Sequence, residues 1–252
     1  MAYETPLTIA EVMKDITANK YVLPSIQREY VWDTEQIEAL FDSLMRDYPI
    51  GTFLFWEINK EHVNDYDFYG FIRNYHEYKG VHNKKVDLKG LDGVTAVLDG
   101  QQRLTSIYIG LKGIYAYKLK YMAKKNQEAY PTRKLYLNLL SNSTDSSNEY
   151  EFKFLTNKEV QNDENTYWFE VGEILNMKQD GDVAMFVTKN IGFSKEFKYT
   201  EEQTIFAINA LSKLYNIINK AGTISYYREK KVEHDKVLNI YIRVNSRGTP
   251  LS

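Results

Sequence analysis

No cysteine occurs anywhere in the 252 residues, which removes disulfides, cysteine nucleophiles and thiolate metal sites at once and fits a reducing compartment without requiring one. Long apolar runs are missing too. Nothing approaches the ~18–20 residues of a membrane span, and the N-terminus lacks the order of basic, apolar and small residues that marks a secretory signal. A cytoplasmic protein with no membrane partner is the expectation. Net charge is also scarce, since 32 Lys and Arg face 34 Asp and Glu for a formal charge of −2. That balance argues against a protein that coats nucleic acid nonspecifically, although a local basic face would vanish in the sum.

What is present is the composition of a globular protein, 43% hydrophobic and 26% charged, in a length that permits one large domain or a compact domain with an elaboration. Tyrosine is abundant, at 21 residues, and often stands beside lysine. Such mixtures suit stacking on nucleobases, yet most tyrosines simply bury the ring with the hydroxyl near the surface.

Hydrophobic spacing predicts helices over about Thr8–Asn19, from Asp33 onward through Met45, from Gly100 through Leu111 and over Thr204–Asn219. Asp33 followed by Gln36 has the form of a capping box. Extended segments are expected at Tyr21–Ile26, Thr52–Ile58, Thr95–Leu98, Leu135–Leu140, Phe152–Leu155 and Thr223–Arg228, with hairpin and loop between Asn59 and Gly93. The pattern after Glu170 is irregular. Asp235–Val244 fits both periods and is read as helix, and Leu251-Ser252 reads as the lead-in to a further helix.

One run carries specific chemistry, Asp99-Gly100-Gln101-Gln102-Arg103. A strand that delivers Asp-Gly to a helix start exposes free backbone N–H groups with partial positive charge, a cradle for phosphate. Gly100 permits close backbone approach, Gln101 and Gln102 add amide donors, and Arg103 offers a planar fork for phosphate oxygens. A carboxylate at Asp99 beside phosphate requires a reason: Mg²⁺, a ribose hydroxyl or an arginine partner. An alternative stands beside this one, in which Asp99 merely caps the helix and Gly100 makes the turn.

Three separated motifs then occur in order: Leu23-Pro24-Ser25-Ile26-Gln27-Arg28-Glu29-Tyr30-Val31-Trp32, Val97-Leu98-Asp99-Gly100-Gln101-Gln102-Arg103-Leu104-Thr105, and Arg243-Val244-Asn245-Ser246-Arg247-Gly248. With Phe41-Asp42-Ser43-Leu44-Met45 and Tyr48-Pro49-Ile50-Gly51, they make the chain resemble the N-terminal domain family of GmrSD-type, modification-dependent restriction endonucleases, itself similar to the ParB and sulfiredoxin fold. The resemblance implies an α+β fold with a ParB/sulfiredoxin-like core, helices packed on a small mixed sheet, and a variable β-containing insertion. The expected division is a core over 1–119, the insertion over 120–200, and a helical return over 201–252 that leads toward a C-terminal domain.

The same resemblance implies binding and hydrolysis of a nucleoside triphosphate with Mg²⁺, coupled to cleavage of modified phage DNA. Asp99, Gln102 and Arg103 would be catalytic, with Asp99 also the Mg²⁺ ligand. Gly100, Gln101, Gln27, Arg28, Arg243, Asn245 and Ser246 would hold nucleotide and phosphate. Where ParB-like proteins have a second arginine this chain has Leu104, so their CTP clamp is not carried over. Arg28 can instead pair with a carboxylate such as Asp99, and Asn245 can be a helix C-cap. A C-terminal nuclease domain or partner subunit, and a homo-oligomer, are further expected partners.

The remaining signals are weaker. His62, His76, His82 and His234 lack ligand spacing, and Glu151-x-Lys153 reads as a solvent-facing strand edge rather than part of a metal nuclease. The basic stretch from Lys112 to Lys134 offers Lys120, Lys124 and Lys125 as DNA contacts, against the commoner role of a solvated face. Two rival functions follow: a metal-dependent DNA-nicking nuclease needing no nucleotide, and a non-catalytic sensor of DNA or a partner.

Overall fold

The computed structural model describes residues 2–25, 29–79, 82–88 and 90–230. The predicted helix at Asp235–Val244 and the lead-in at Leu251-Ser252 lie outside the described residues. The chain forms β1 (Ala2–Tyr3), α1 (Ile9–Thr17), β2 (Tyr21–Pro24), α2 (Thr34–Met45), β3 (Phe53–Asn59), β4 (Phe68–Tyr69), β5 (Asn74–His76) and β6 (Gly93–Asp99). It continues through α3 (Gln101–Lys112), β7 (Ile114–Ala116), β8 (Thr132–Asn142), β9 (Tyr150–Leu155), β10 (Trp168–Glu170), α4 (Asp180–Val187), α5 (Glu201–Asn219) and β11 (Tyr226–Glu229). This is an α+β architecture.

Local chemistry fixes the helix starts. Thr8 and Glu11, Asp33 and Gln36, and Thr200 and Gln203 form reciprocal capping boxes at α1, α2 and α5. The two backbone and side-chain bonds from Thr8 hold the Glu11 carboxyl below its ordinary range. Buried Ile9, Val12, Met13 and Ile16 place one stripe of α1 on the core. Asn19, with φ 55°, takes the chain out of that helix.

Six strands make the first sheet, in the order β1-β11-β3-β6-β2-β4. Here β3 runs antiparallel to β6, while β6 with β2 and β3 with β11 are parallel pairs. Both faces of the central strands are covered, which explains the nearly unbroken apolar run of β3. Phe53, Phe55 and Val97 enter the main core with α1, α2, α3 and α5, whereas Leu54, Trp56, Ile58, Val94, Ala96 and Leu98 face a second cluster closed by Val63, Phe68 and Leu88. The segment between β3 and β6, short on regular structure, is therefore the lid of a sheet.

The second sheet runs β10-β8-β7-β5, with β9 also paired to β8. It draws β5 and β7 from before residue 120 and β8 to β10 from after it. Against it packs α3, whose residues Leu104 to Leu111 are all buried, the mark of a helix wrapped on every side. Gly110 makes that wrapping possible, because a Cβ there would come within 2.6 Å of the Phe41 ring. The N-terminus of α3 is thus held on a rigid element at the carboxyl end of a central strand of the first sheet.

Candidate functional site

Strand β6 hands the chain to α3 through Gly100, which adopts φ 87° and ψ 11° as the N-cap residue. Only glycine suits this place: the backbone is left-handed and an added Cβ would lie 2.1 Å from Phe53 Cδ1. Opposite the turn, β3 meets β6 with an irregularity, Leu54 facing Asp99 and Phe55 facing Val97. The cap is therefore Gly100 and not Asp99, and among the described residues no side chain caps the amides of the first turn. Leu104 N donates to Gly100 O at 3.0 Å, so the amides of Gln101, Gln102 and Arg103 precede the intrahelical ladder.

Each side chain of the turn has a definite partner. Gln101 Nε2 donates to Val97 O at 2.8 Å. Gln102 grips the C-terminal part of the first motif with both ends of its amide, donating to Glu29 O at 2.9 Å and accepting from Val31 N at 3.1 Å. Next to it, Tyr30 and Ser106 share a buried hydroxyl bond of 2.8 Å, and burial pushes the Tyr30 phenol above its ordinary pKa. The first and second motifs are consequently one surface. Gln27 and Arg28 of that first motif lie outside the described residues, as do Arg243, Asn245 and Ser246 of the third.

Arg103 folds onto the Pro49–Phe53 turn. Its Nη1 donates to Ile50 O, its Nη2 to Thr52 O at 3.2 Å and to Asp99 Oδ2 at 3.3 Å, and its guanidinium carbon lies 4.5 Å from the Phe53 ring centroid. Burial lowers its pKa, with Asp99 pulling the other way. Gly51, at φ 82°, leaves the room; a Cβ there would come 2.6 Å from Nη1. Sequence reasoning missed this use of the guanidinium, although Pro49-Ile50-Gly51 stood among the family-like runs. Asp99, one oxygen turned to Arg103, keeps Oδ1 without a partner among the described residues. A single carboxylate of this kind fits Mg²⁺ held jointly with phosphates. Among the described residues no group of three His, Asp or Glu is arranged to hold a metal by itself.

The basic stretch divides. Lys112 donates to Thr17 Oγ1 at 3.3 Å, Lys118 to Leu119 O and Met122 O at 3.2 and 3.1 Å, and Lys134 pairs with Glu170 at 2.6 Å. Arg133 is buried under Tyr117, its guanidinium carbon 3.8 Å from the ring centroid. Lys120, Lys124 and Lys125 point to solvent. Glu151 is not a solvent-facing edge: it is largely buried, accepts from Asn138 Nδ2 at 2.9 Å and pairs with Lys153. No described helix is long and apolar enough to cross a membrane.

Comparison with known proteins adds the family. The pattern described as "GmrSD restriction endonuclease, N-terminal domain" matches residues 9–252. An uncharacterized protein of Methanocaldococcus jannaschii is 27% identical over 247 residues, which take in 97% of this chain and 39% of that protein. The chain thus spans well under half the length of that curated relative.

Proposed function

The chain belongs to the GmrSD restriction endonuclease N-terminal domain family, and from that premise we propose that it is the nucleotide-handling module of a modification-dependent restriction protein. It binds and hydrolyses a nucleoside triphosphate with Mg²⁺ and couples that turnover to cleavage of modified phage DNA, on a ParB/sulfiredoxin-like core. The observation that carries this reading is the first turn of α3 behind left-handed Gly100, uncapped by any side chain among the described residues: free amides at a helix N-terminus favour an anionic oxygen.

In this reading the amides of Gln101 to Arg103 receive phosphate oxygens, and Asp99 Oδ1 is a ligand to Mg²⁺, which supplies charge neutralisation when bound. Gln102 fixes the described part of the first motif beside the turn, and the family resemblance assigns Gln27 and Arg28, with Arg243, Asn245 and Ser246 of the third motif, to nucleotide binding. Arg103 is a positioning residue. It locks the Ile50–Phe53 turn against α3 and sets the side chain of Asp99, while its buried charge adds to the positive potential of the helix start.

The test is a thermal-shift panel of nucleoside triphosphates with Mg²⁺, paired with turnover, on wild type and Asp99→Asn. A ligand that binds the folded chain at 100 times its Kd adds about 2.7 kcal/mol of apparent stability. Wild type should show a Mg²⁺-dependent rise that Asp99→Asn reduces, with turnover lost in the variant. If Asp99→Asn binds and hydrolyses as wild type does, or no nucleotide shifts wild type, the assignment of this turn is wrong.

A further inference from the structure

A polar cavity lies where the exit of β5 meets the loop before β8. It has a volume of about 370 Å³ and is lined by His76, Tyr78, Lys79, Lys124, Lys125 and Tyr130, among others. Three rings there are close to parallel: His76 and Tyr130 stack at 4.9 Å and 30°, Tyr78 and Tyr130 at 5.9 Å and 24°. The rings are also fixed. His76 Nδ1 accepts from the backbone amides of Tyr78 and Lys79 at 3.2 and 3.3 Å, which leaves the proton of the neutral ring on Nε2. Tyr130 donates its hydroxyl to Lys124 O at 3.3 Å, tying the two walls together. Tyr78 is 54% exposed and offers its ring to solvent.

Several cations elsewhere on the surface are engaged by carboxylates. Lys60, Lys85, Lys134, Lys153, Lys213 and Lys220 each pair with a carboxylate. Lys79, Lys124 and Lys125 are exposed and make no ion pair among the described residues. The nearby Glu77 is occupied, accepting from Lys118 N at 2.6 Å. Rigid aromatic faces with free ammonium groups beside them are the two components that hold a single-stranded nucleotide, the face for the base and the cation for the backbone phosphate.

We infer that this cavity is a nucleotide-binding site for DNA, taking one unstacked base against the Tyr78–Tyr130–His76 rings with the adjoining phosphates on Lys79, Lys124 and Lys125. It is a site additional to the α3 turn, and it rests on the proposed reading only in that the chain acts on DNA. A strand, rather than a free nucleotide, is the occupant. The lysines are flexible, solvent-facing charges suited to a continuous polyanion, whereas no arginine lines the cavity to grip a terminal triphosphate, and the single 3-10 turn Gln127–Ala129 at its wall has its Glu128 amide already bonded to Asn126 Oδ1 at 3.0 Å.

The experiment is fluorescence anisotropy with the full chain, using a labelled single-stranded oligonucleotide and a duplex carrying one unpaired 2-aminopurine, over a range of salt. Tyr78→Ala should weaken single-strand binding roughly tenfold and remove the 2-aminopurine quenching seen with wild type. Lys124→Glu with Lys125→Glu should weaken both DNAs and flatten the dependence of log K on log salt by about 1 to 2. Lys213→Ala, a cation elsewhere on the surface, should bind as wild type does. Unchanged DNA affinity in both cavity variants, or no binding by wild type, overturns the proposal. A separate arm measures the nucleoside triphosphate thermal shift of Tyr78→Ala. Retention of that shift with DNA binding lost supports the proposal, whereas its loss with DNA affinity intact makes the cavity a mononucleotide pocket and overturns it. Failure of the α3 assignment would leave these DNA affinities untouched.

Discussion

The α3 turn and the ring cavity are both polar, and they are built in opposite ways. At the turn, long side chains are spent on the protein's own backbone: Gln101 on Val97, Gln102 on Glu29 and Val31, Arg103 on Ile50 and Thr52. Two carboxylates of α2 follow the same habit, buried Asp42 accepting from the amides of Glu149 and Tyr150 and half-buried Glu38 from that of Phe154. At the cavity the frame is aromatic and the cations are unengaged. A site can thus offer a ligand either its main chain, once side chains have fixed it, or its side chains, once rings have fixed those. Substitutions at the first should register in stability, and at the second in binding.

The largest effect is expected from Gly100→Ala. Left-handed strain of about 1–2 kcal/mol adds to overpacking of about 1–3 kcal/mol against Phe53, so the urea midpoint should fall sharply. A variant as stable as wild type would mean the turn is not held as described. Arg103→Ala should follow at about 2–3 kcal/mol, since it strands two carbonyls and Asp99, measured by the same titration.

Glu38 tests the anchored region by pH. Burial pushes its carboxyl up to about 7 from the ordinary 4.5, with the Phe154 amide bond pulling down. The folded chain keeps this proton where the unfolded chain has released it, so stability falls as pH rises from about 4.5 to about 7 and levels above that. Glu38→Gln keeps the acceptor for Phe154 and should flatten this slope, changing the stability difference between pH 5 and pH 8 by about 1–2 kcal/mol; parallel pH profiles would refute the assignment. Gln102→Ala should cost about 1 kcal/mol, with faster amide exchange at Val31 as the specific readout. Lys79→Ala is the smallest, within ~0.5 kcal/mol of wild type, because its ammonium holds no partner among the described residues.

These differences also explain what could be read from the residues alone. Elements announced by side chains that bond their own neighbours were legible: the capping pair Asp33 and Gln36 marked the start of α2, and the apolar stripes of α1 and α5 marked their cores. The extended runs expected at Leu135–Leu140 and Phe152–Leu155 are the antiparallel pair β8 and β9. Several short elements were not legible, among them β5, which pairs with β7 where a hairpin was expected. In α4 only Val183 and Val187 are buried, too few to set a period, and β1, β7 and β10 are strands of two or three residues whose partners are distant. The strand–glycine–helix turn was visible because it is local. That Arg103 turns to carbonyls 51 and 53 residues away was not, since nothing near Arg103 in the chain indicates it. The interleaving of Tyr, His and Lys in 75–79 and 117–130 was the one trace of the ring cavity, and composition alone could not distinguish it from ordinary surface.

One feature of the first sheet bears on how the protein is made. Strand β11 lies between β1 and β3, so a ribbon from residues 226–229 is inserted between two that are synthesised long before it. Until that ribbon emerges from the ribosome, Phe53 to Trp56 present an unpaired, strongly apolar border to the cell. Folding must therefore wait on almost the whole described chain, and a nascent chain interrupted earlier would be a client for chaperones or a seed for aggregation.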